Sequence, residues 1–89
     1  MPGGGANTDP ADLRRLASEI QRAQNDISSS IKRVKSALNS ARWDDPARRK
    51  FESQLAEMES AINRFTNSAQ ESSRFLTTKA GQLEAFLRT

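Results

Sequence analysis

Two Asp-Pro pairs divide this chain of 89 residues and limit it to long helices joined by one corner. In the pairs Asp9-Pro10 and Asp45-Pro46, a carboxylate that can accept hydrogen bonds from free N–H groups precedes a proline, which needs no N–H at the first helical position. No proline or glycine lies between the pairs, and only Gly81 interrupts the residues after the second. The predicted segments are a helix over residues 10–41, a corner over 42–45 and a helix over 46–87.

The apolar residues of both segments recur every three or four positions, which is the spacing of one face of an α-helix. Opposing residues have numbers that sum to 89, as for Leu38 with Phe51 and Ile27 with Ile62. We therefore predict an all-α fold in which an antiparallel two-helix hairpin spans residues 10–89, the alternative being two long helices that associate otherwise. The predicted assembly seam consists of Leu13, Leu16, Ile20, Ile27, Ile31, Val34, Leu38, Phe51, Leu55, Met58, Ile62, Phe65 and Leu76.

One apolar stripe per helix is a small core for a chain of this length. Two positions of the stripe are ambiguous: in the first helix Ala23 or Gln24 could face the second helix, and in the second helix Ser72 or Ser73 could face the first. Small residues also flank the stripe and would let another pair of helices approach closely. We expect two hairpins to associate into a four-helix bundle, as a homodimer or as a heterodimer with a related small helical protein.

The composition argues against an enzyme. Histidine, cysteine and tyrosine are absent, so the chain has no thiol nucleophile, no catalytic imidazole and no zinc ligands of the usual kind. Glu57 and Glu59 point to different faces of one helix and do not form a carboxylate pair. We predict no catalytic residue, no metal and no cofactor.

Residues 1–9 contain three glycines and Pro2 and are predicted to be a flexible arm. The arm lacks the basic and apolar regions of a signal peptide, and no apolar run approaches the length of a membrane span. The sequence therefore predicts synthesis in the cytoplasm, no membrane span, and export, if any, by a route without a cleaved signal peptide.

The predicted second helix outruns the first by about ten residues, roughly 15 Å at the usual rise. This overhang carries Leu83, Phe86 and Leu87, which the sum of 89 places opposite residues that precede the first helix. We predict that this tail docks on the partner subunit or on a receptor. The alternative is a frayed terminus that packs on the glycine-rich arm.

The corner holds the only tryptophan of the chain, followed by two acids and a proline: Trp43, Asp44, Asp45 and Pro46. A chain of this length with Trp-X-Gly between two helices resembles the WXG family, the early secreted antigenic target-like small helical proteins of type VII secretion. Asp45 stands where the family has glycine, and aspartate both tolerates unusual backbone angles and caps helices. The resemblance covers nearly the whole chain in architecture, while its specific motif is three residues.

The resemblance implies a role for each end of the hairpin. In such proteins the corner tryptophan lies near the partner's C-terminal tail, so Trp43 is implied to form half of a recognition surface; its alternative role is to cover the end of the bundle. The family's tail carries an aromatic residue followed four positions later by an acid, whereas here Phe75 is followed by Lys79. Either a partner chain supplies the export signal, or the scaffold serves another purpose.

Basic residues gather near the corner, although the net charge is only +3. Cations in the first turns of the second helix oppose its dipole, which hints at an acidic partner, an anionic membrane or nucleic acid. The alternative is a solvated end kept for solubility, and no nucleic-acid-binding module is visible. The cluster consists of Lys32, Arg33, Lys35, Arg42, Arg48, Arg49 and Lys50.

The sequence as a whole predicts a non-catalytic interaction protein. With the resemblance, it is expected to be a substrate or secretion partner of a bacterial type VII system, acting as a dimer, with a secretion ATPase or a larger effector as further partners. It would then be made in the bacterial cytoplasm and secreted. The alternative is a basic hairpin adaptor, or a coiled-coil protein associated with nucleic acid, that is not exported.

Overall fold

The computed structural model describes residues 7–88 as two antiparallel α-helices. Helix α1 spans Pro10–Ser40 and helix α2 spans Pro46–Arg88. They form a rod of 66 × 19 × 19 Å, with the corner at one end and the start of α1 beside the end of α2 at the other. Of the predicted flexible arm, residues 1–6 lie outside the described residues.

Both helices begin at the proline of an Asp-Pro pair. Asp9 Oδ1 accepts a hydrogen bond from the backbone N–H of Ala11 at 2.9 Å, and Asp45 Oδ1 accepts one from the N–H of Ala47 at 2.9 Å. These bonds satisfy N–H groups that have no partner within the helix. At the end of α1 the chain turns extended at Ala41, whose N–H still reaches the carbonyl of Leu38 at 3.2 Å.

Small side chains fill most of the centre of the contact between the helices. Ala17, Ala69, Ser73 and Ala80 are buried, and Leu55 is the one large apolar residue among the buried positions of the described chain. Small residues let two helix backbones approach closely, so the larger apolar side chains are displaced towards the edges of the contact. Because the centre is narrow, the hairpin leaves much of its apolar surface uncovered.

At each of the two ambiguous positions of the stripe, one of the two candidate residues is more buried than the other. Gln24 is half-buried while Ala23 is exposed, and Ser73 is buried while Ser72 is exposed. Ser73 Oγ donates a hydrogen bond to the carbonyl oxygen of Ala17 at 3.1 Å. Gln24 Oε1, in contrast, is buried without a hydrogen-bond partner among the described residues. The centre of the hairpin therefore contains one satisfied and one unsatisfied polar side chain.

Candidate functional site: the corner, the tail and the two sides of the hairpin

The corner is organised by the carboxylate of Asp45. Its Oδ1 atom, which caps α2, also accepts a hydrogen bond from the indole Nε1–H of Trp43 at 2.9 Å. One carboxylate oxygen has two lone pairs and can accept both bonds. The start of α2 and the orientation of the half-buried tryptophan are thus fixed by the same atom.

Arg48 joins the two helices at the corner. Its guanidinium donates to the carbonyl oxygens of Trp43 at 3.0 Å and Leu38 at 3.4 Å, and it pairs with Glu52 at 3.3 Å. A cation at the end of α1 satisfies carbonyl groups that the helix leaves free. Arg48 therefore serves the fold itself, a role that the sequence analysis did not assign to this member of the basic cluster.

An aromatic pair covers the end of the hairpin. The rings of Trp43 and Phe51 lie 5.7 Å apart between centroids and are tilted by 40°. This is a favourable geometry for two aromatic rings. Trp43 remains partly exposed, and Asp44 and Pro46 are exposed beside it, so the corner presents a surface as well as a cap.

The tail lies at the opposite end of the rod. Leu83 is half-buried one turn from the buried Ala80, whereas Phe86 and Leu87 are 74% and 66% exposed. Glu84, between them, is paired with Arg14 near the start of α1. The tail is therefore anchored to α1 through Glu84, while Phe86 and Leu87 beyond it are exposed.

One side of the hairpin, which we call the polar side, carries three hydrogen-bonded links between the helices. Arg14 binds Glu84 through two bonds of 2.6 and 3.1 Å, Lys35 binds Glu59 at 2.9 Å, and Ser73 binds the backbone of α1. The hydrogen bond from Arg14 lowers the pKa of the Glu84 carboxyl, and the same bond raises the pKa of Arg14. The polar groups of this side are thus largely satisfied within one chain.

The other side, which we call the apolar side, is lined by large hydrophobic residues that the hairpin leaves half uncovered. At 100° per residue, Leu16, Ile27 and Val34 project from α1 away from the polar side. Met58 and Phe65 do the same on α2. Between 36% and 50% of each of these five side chains is exposed. Ile27 and Val34 line a shallow groove together with Ile31 and Ile62. A second shallow groove is lined by Ile20, Phe75 and Leu76.

The predicted seam is split between the contact and the apolar side. Leu16 is the clearest departure from a central position, because the neighbouring Ala17 is buried in its place. Leu55 alone among the seam residues is buried. The half-buried members are Leu13, Ile20, Ile31, Leu38, Phe51, Ile62 and Leu76, and the exposed members are Leu16, Ile27, Val34, Met58 and Phe65.

Residues 7–88 contain no cluster of acidic side chains able to hold a metal ion. Neither described helix has a stretch long and apolar enough to cross a membrane.

The fold and its surfaces define a class of protein: a small helical hairpin with exposed apolar residues on its tail and along one side. The model of the WXG100 family, described as proteins of 100 residues with WXG, matches residues 5–86. The chain belongs to the WXG100 family. Members of this family are small helical, non-enzymatic proteins that form dimers, are linked to type VII secretion and are secreted without a signal peptide. No curated protein and no solved structure matches the chain.

Proposed function

We propose that this protein is a substrate or secretion partner of a type VII system and works as an antiparallel dimer of hairpins. The observation that carries the proposal is the uncovered apolar side, which runs along both helices. A second hairpin packed there would complete a four-helix bundle, as is usual when helices carry a wide apolar face. The partner is a second copy of this chain or a related WXG100 protein.

The placement of the corner and the tail supports an antiparallel arrangement. Within one chain Trp43 and Leu87 lie at opposite ends of a 66 Å rod, so no single hairpin can combine them into one surface. Two hairpins packed side by side in opposite directions bring the corner of each next to the tail of the other. The exposed Phe86 and Leu87 would then face the corner around Trp43.

The distribution of charge favours the same direction of packing. Residues 29–67, which include the corner, contain eight basic and five acidic residues, while the rest of the chain contains six of each. Two hairpins packed corner to corner would bring two positive regions together, which costs free energy at short range. The opposite direction places each positive corner beside a neutral tail region.

The basic cluster gives little support to a nucleic-acid function, because two of its cations are engaged within the chain. Arg48 is engaged with two backbone carbonyls, and Lys35 is paired with Glu59 across the helices. These two cations contribute to the fold, which leaves fewer charges for a phosphate-binding surface. We therefore propose one function and keep nucleic acid as an outcome that binding measurements would reveal.

Secretion is tested in the cells that make the protein. We expect the wild-type chain in the culture supernatant and expect it to stay in the cells of a strain that lacks the secretion ATPase. Equal amounts in both supernatants would contradict export by this route. Phe75 and Lys79 do not form the aromatic-acid tail signal, so the proposal further expects export to depend on a co-expressed partner whose tail carries that signal.

Assembly is tested with purified protein. Sedimentation equilibrium at micromolar concentration should give twice the mass of the 9.9 kDa chain, or a one-to-one complex once a related partner is added. A folded species that stays monomeric alone and with such partners would overturn the dimer. The pairing of corner and tail is tested by a disulfide between Ala47→Cys and Leu87→Cys, which should form between chains and not within one.

A further inference from the structure

We infer that Asp45 is a positioning residue for Trp43: it holds the indole in one orientation, occupies its N–H group, and so leaves the ring as a purely apolar contact surface. The observation is the shared Oδ1 atom, which accepts bonds from Trp43 Nε1 and from Ala47 N at 2.9 Å each. The role does not follow from the WXG signature, because the signature has glycine at this position and glycine has no side chain that could accept the bond.

The backbone gives no separate reason for a glycine at the corner. Among residues 7–88 no residue has a positive φ, so Asp45 adopts its conformation without strain. The side chain is therefore available for a second purpose at no conformational cost. Its position directly before Pro46 makes it the cap of α2, and its spacing of two residues from Trp43 brings the carboxylate within reach of the indole.

Further contacts restrict the tryptophan to the same orientation. Phe51 packs against the ring at a centroid distance of 5.7 Å, and Arg48 holds the backbone carbonyl of Trp43 at 3.0 Å. The indole is thus fixed through its N–H group, its ring and its backbone. A side chain ordered in advance loses less conformational entropy when a partner binds it.

The kind of occupant follows from the occupied N–H group. With its one donor engaged, the Trp43 ring offers no hydrogen bond to a partner. It accepts an aliphatic or aromatic side chain, which agrees with the exposed Phe86 and Leu87 of a second chain. This part of the inference rests on the proposed dimer, whereas the positioning of Trp43 within one chain does not.

The positioning is tested by the variant Asp45→Gly, with Asp9→Gly as the matched control. Both variants lose an aspartate cap before a proline, and glycine replaces an N-cap at a small cost, so both chains should fold. Only Asp45→Gly releases the indole. Because the chain has one tryptophan and no tyrosine, indole hydrogen exchange by NMR and fluorescence anisotropy both report on Trp43 alone.

We expect the indole N–H of Asp45→Gly to exchange about fivefold faster than that of the wild type, as for a lost hydrogen bond, with lower anisotropy. Asp9→Gly should leave both values unchanged, and Asp45→Asn, which keeps an acceptor oxygen, should lie close to the wild type. Equal exchange in Asp45→Gly and wild type, or an equal change in Asp9→Gly, would overturn the inference. These readouts decide it even if the protein does not dimerise.

The proposed contact between Trp43 and the tail of a second chain is tested separately, by the dissociation constant of the dimer. If the dimer forms, Asp45→Gly should weaken it about fivefold, by making the tryptophan mobile. Asp9→Gly should leave the dissociation constant unchanged. A dimer whose affinity is the same in both variants would show that the orientation of Trp43 has no part in the contact with the partner.

Discussion

The polar and apolar sides of the hairpin are built from the same two helices but differ in what they leave unsatisfied. On the polar side, Arg14 with Glu84 and Lys35 with Glu59 pair across the helices, and Ser73 binds the backbone. On the apolar side, Ile27, Phe65 and their neighbours keep a third to a half of their surface exposed.

The difference shows how a two-helix chain can encode both its own fold and its assembly. Exposed ion pairs contribute little to stability, and here two of them link α1 with α2 within one chain. Apolar area contributes about 25 cal/mol per Å² when it is buried. Five of the eight exposed large hydrophobic residues of the described chain lie on the apolar side. The polar side therefore links the two helices of one hairpin, and the apolar side is the surface whose burial would drive the proposed association.

The largest expected effect comes from a charge on the apolar side. Ile27→Asp should weaken dimerisation by at least about 100-fold, because the carboxylate would be buried without a partner in the bundle. Since Ile27 is already 36% exposed in one hairpin, the helical content should fall mainly through the loss of the dimer. Sedimentation and circular dichroism over a range of concentrations measure both effects.

The matched control introduces the same charge on the polar side. Asn25 lies two residues before Ile27 on the same helix and is exposed. It borders a groove on the polar side that Gln21 and Ser73 also line. Asn25→Asp should therefore leave the dimer intact. If both variants dissociate alike, or if Ile27→Asp stays dimeric, the apolar side is not the dimer interface.

The next effect concerns the boundary between the two sides, where Gln24 Oε1 is buried without a partner. Gln24→Leu should raise the free energy of unfolding by about 1–3 kcal/mol, because an unsatisfied buried polar group is removed and apolar contact is gained. Urea unfolding of the variant and the wild type measures the change. A less stable variant would mean that Gln24 finds a hydrogen-bond partner in the assembled protein.

A smaller effect is expected at the centre of the polar side. Ser73→Ala removes the hydrogen bond to the carbonyl of Ala17 but leaves a residue that fits the same space. The free energy of unfolding should fall by about 1 kcal/mol, which is typical of one such bond. The exposed Ser72→Ala is the control and should be neutral; equal losses in both variants would indicate that the Ser73 bond contributes nothing of its own.

The smallest effect is a pH dependence from the Arg14–Glu84 pair. The pKa of Glu84 is lower in the folded chain, so its contribution is complete above the ordinary pKa of a glutamate and is lost as the pH falls through the folded value. Glu84→Gln should make acid unfolding slightly less steep while changing little at neutral pH. Unfolding curves at a series of pH values test this, and parallel curves for both proteins would show that the pair is fully screened.

The sequence sufficed for the parts of the fold that depend on local chemistry. The two Asp-Pro pairs mark the helix starts, since capping involves only neighbouring residues, and the mirrored spacing predicts the antiparallel hairpin. Sequence spacing predicts Leu16 in the seam, whereas the structure buries the neighbouring Ala17. A rotation of 100° around the helix separates the two residues, and the final rotation depends on close packing.

The contacts of the corner were harder to predict from the sequence, because they too depend on how the folded chain packs. Trp43 stands out as the only tryptophan, but its bond to Asp45 depends on the conformation of the corner. The role of Arg48 depends on the carbonyl of Leu38, ten residues earlier in the chain, coming within reach once the helices have folded back. The only sign of this role in the sequence is that Arg48 is a cation near the corner. Such a cation is as typical of a charged surface as of a link between helices.

The corner also has a consequence for the order of folding. The bond from Arg48 to the Leu38 carbonyl closes a loop of 10 residues, whereas the Arg14–Glu84 pair closes 70. The entropy cost of closing the longer loop is higher by roughly 2 kcal/mol. We therefore expect the hairpin to form from the corner towards the termini. The tail would then be the last part of the hairpin to form and the first to open, so the segment proposed to meet a partner would stay accessible longest during folding.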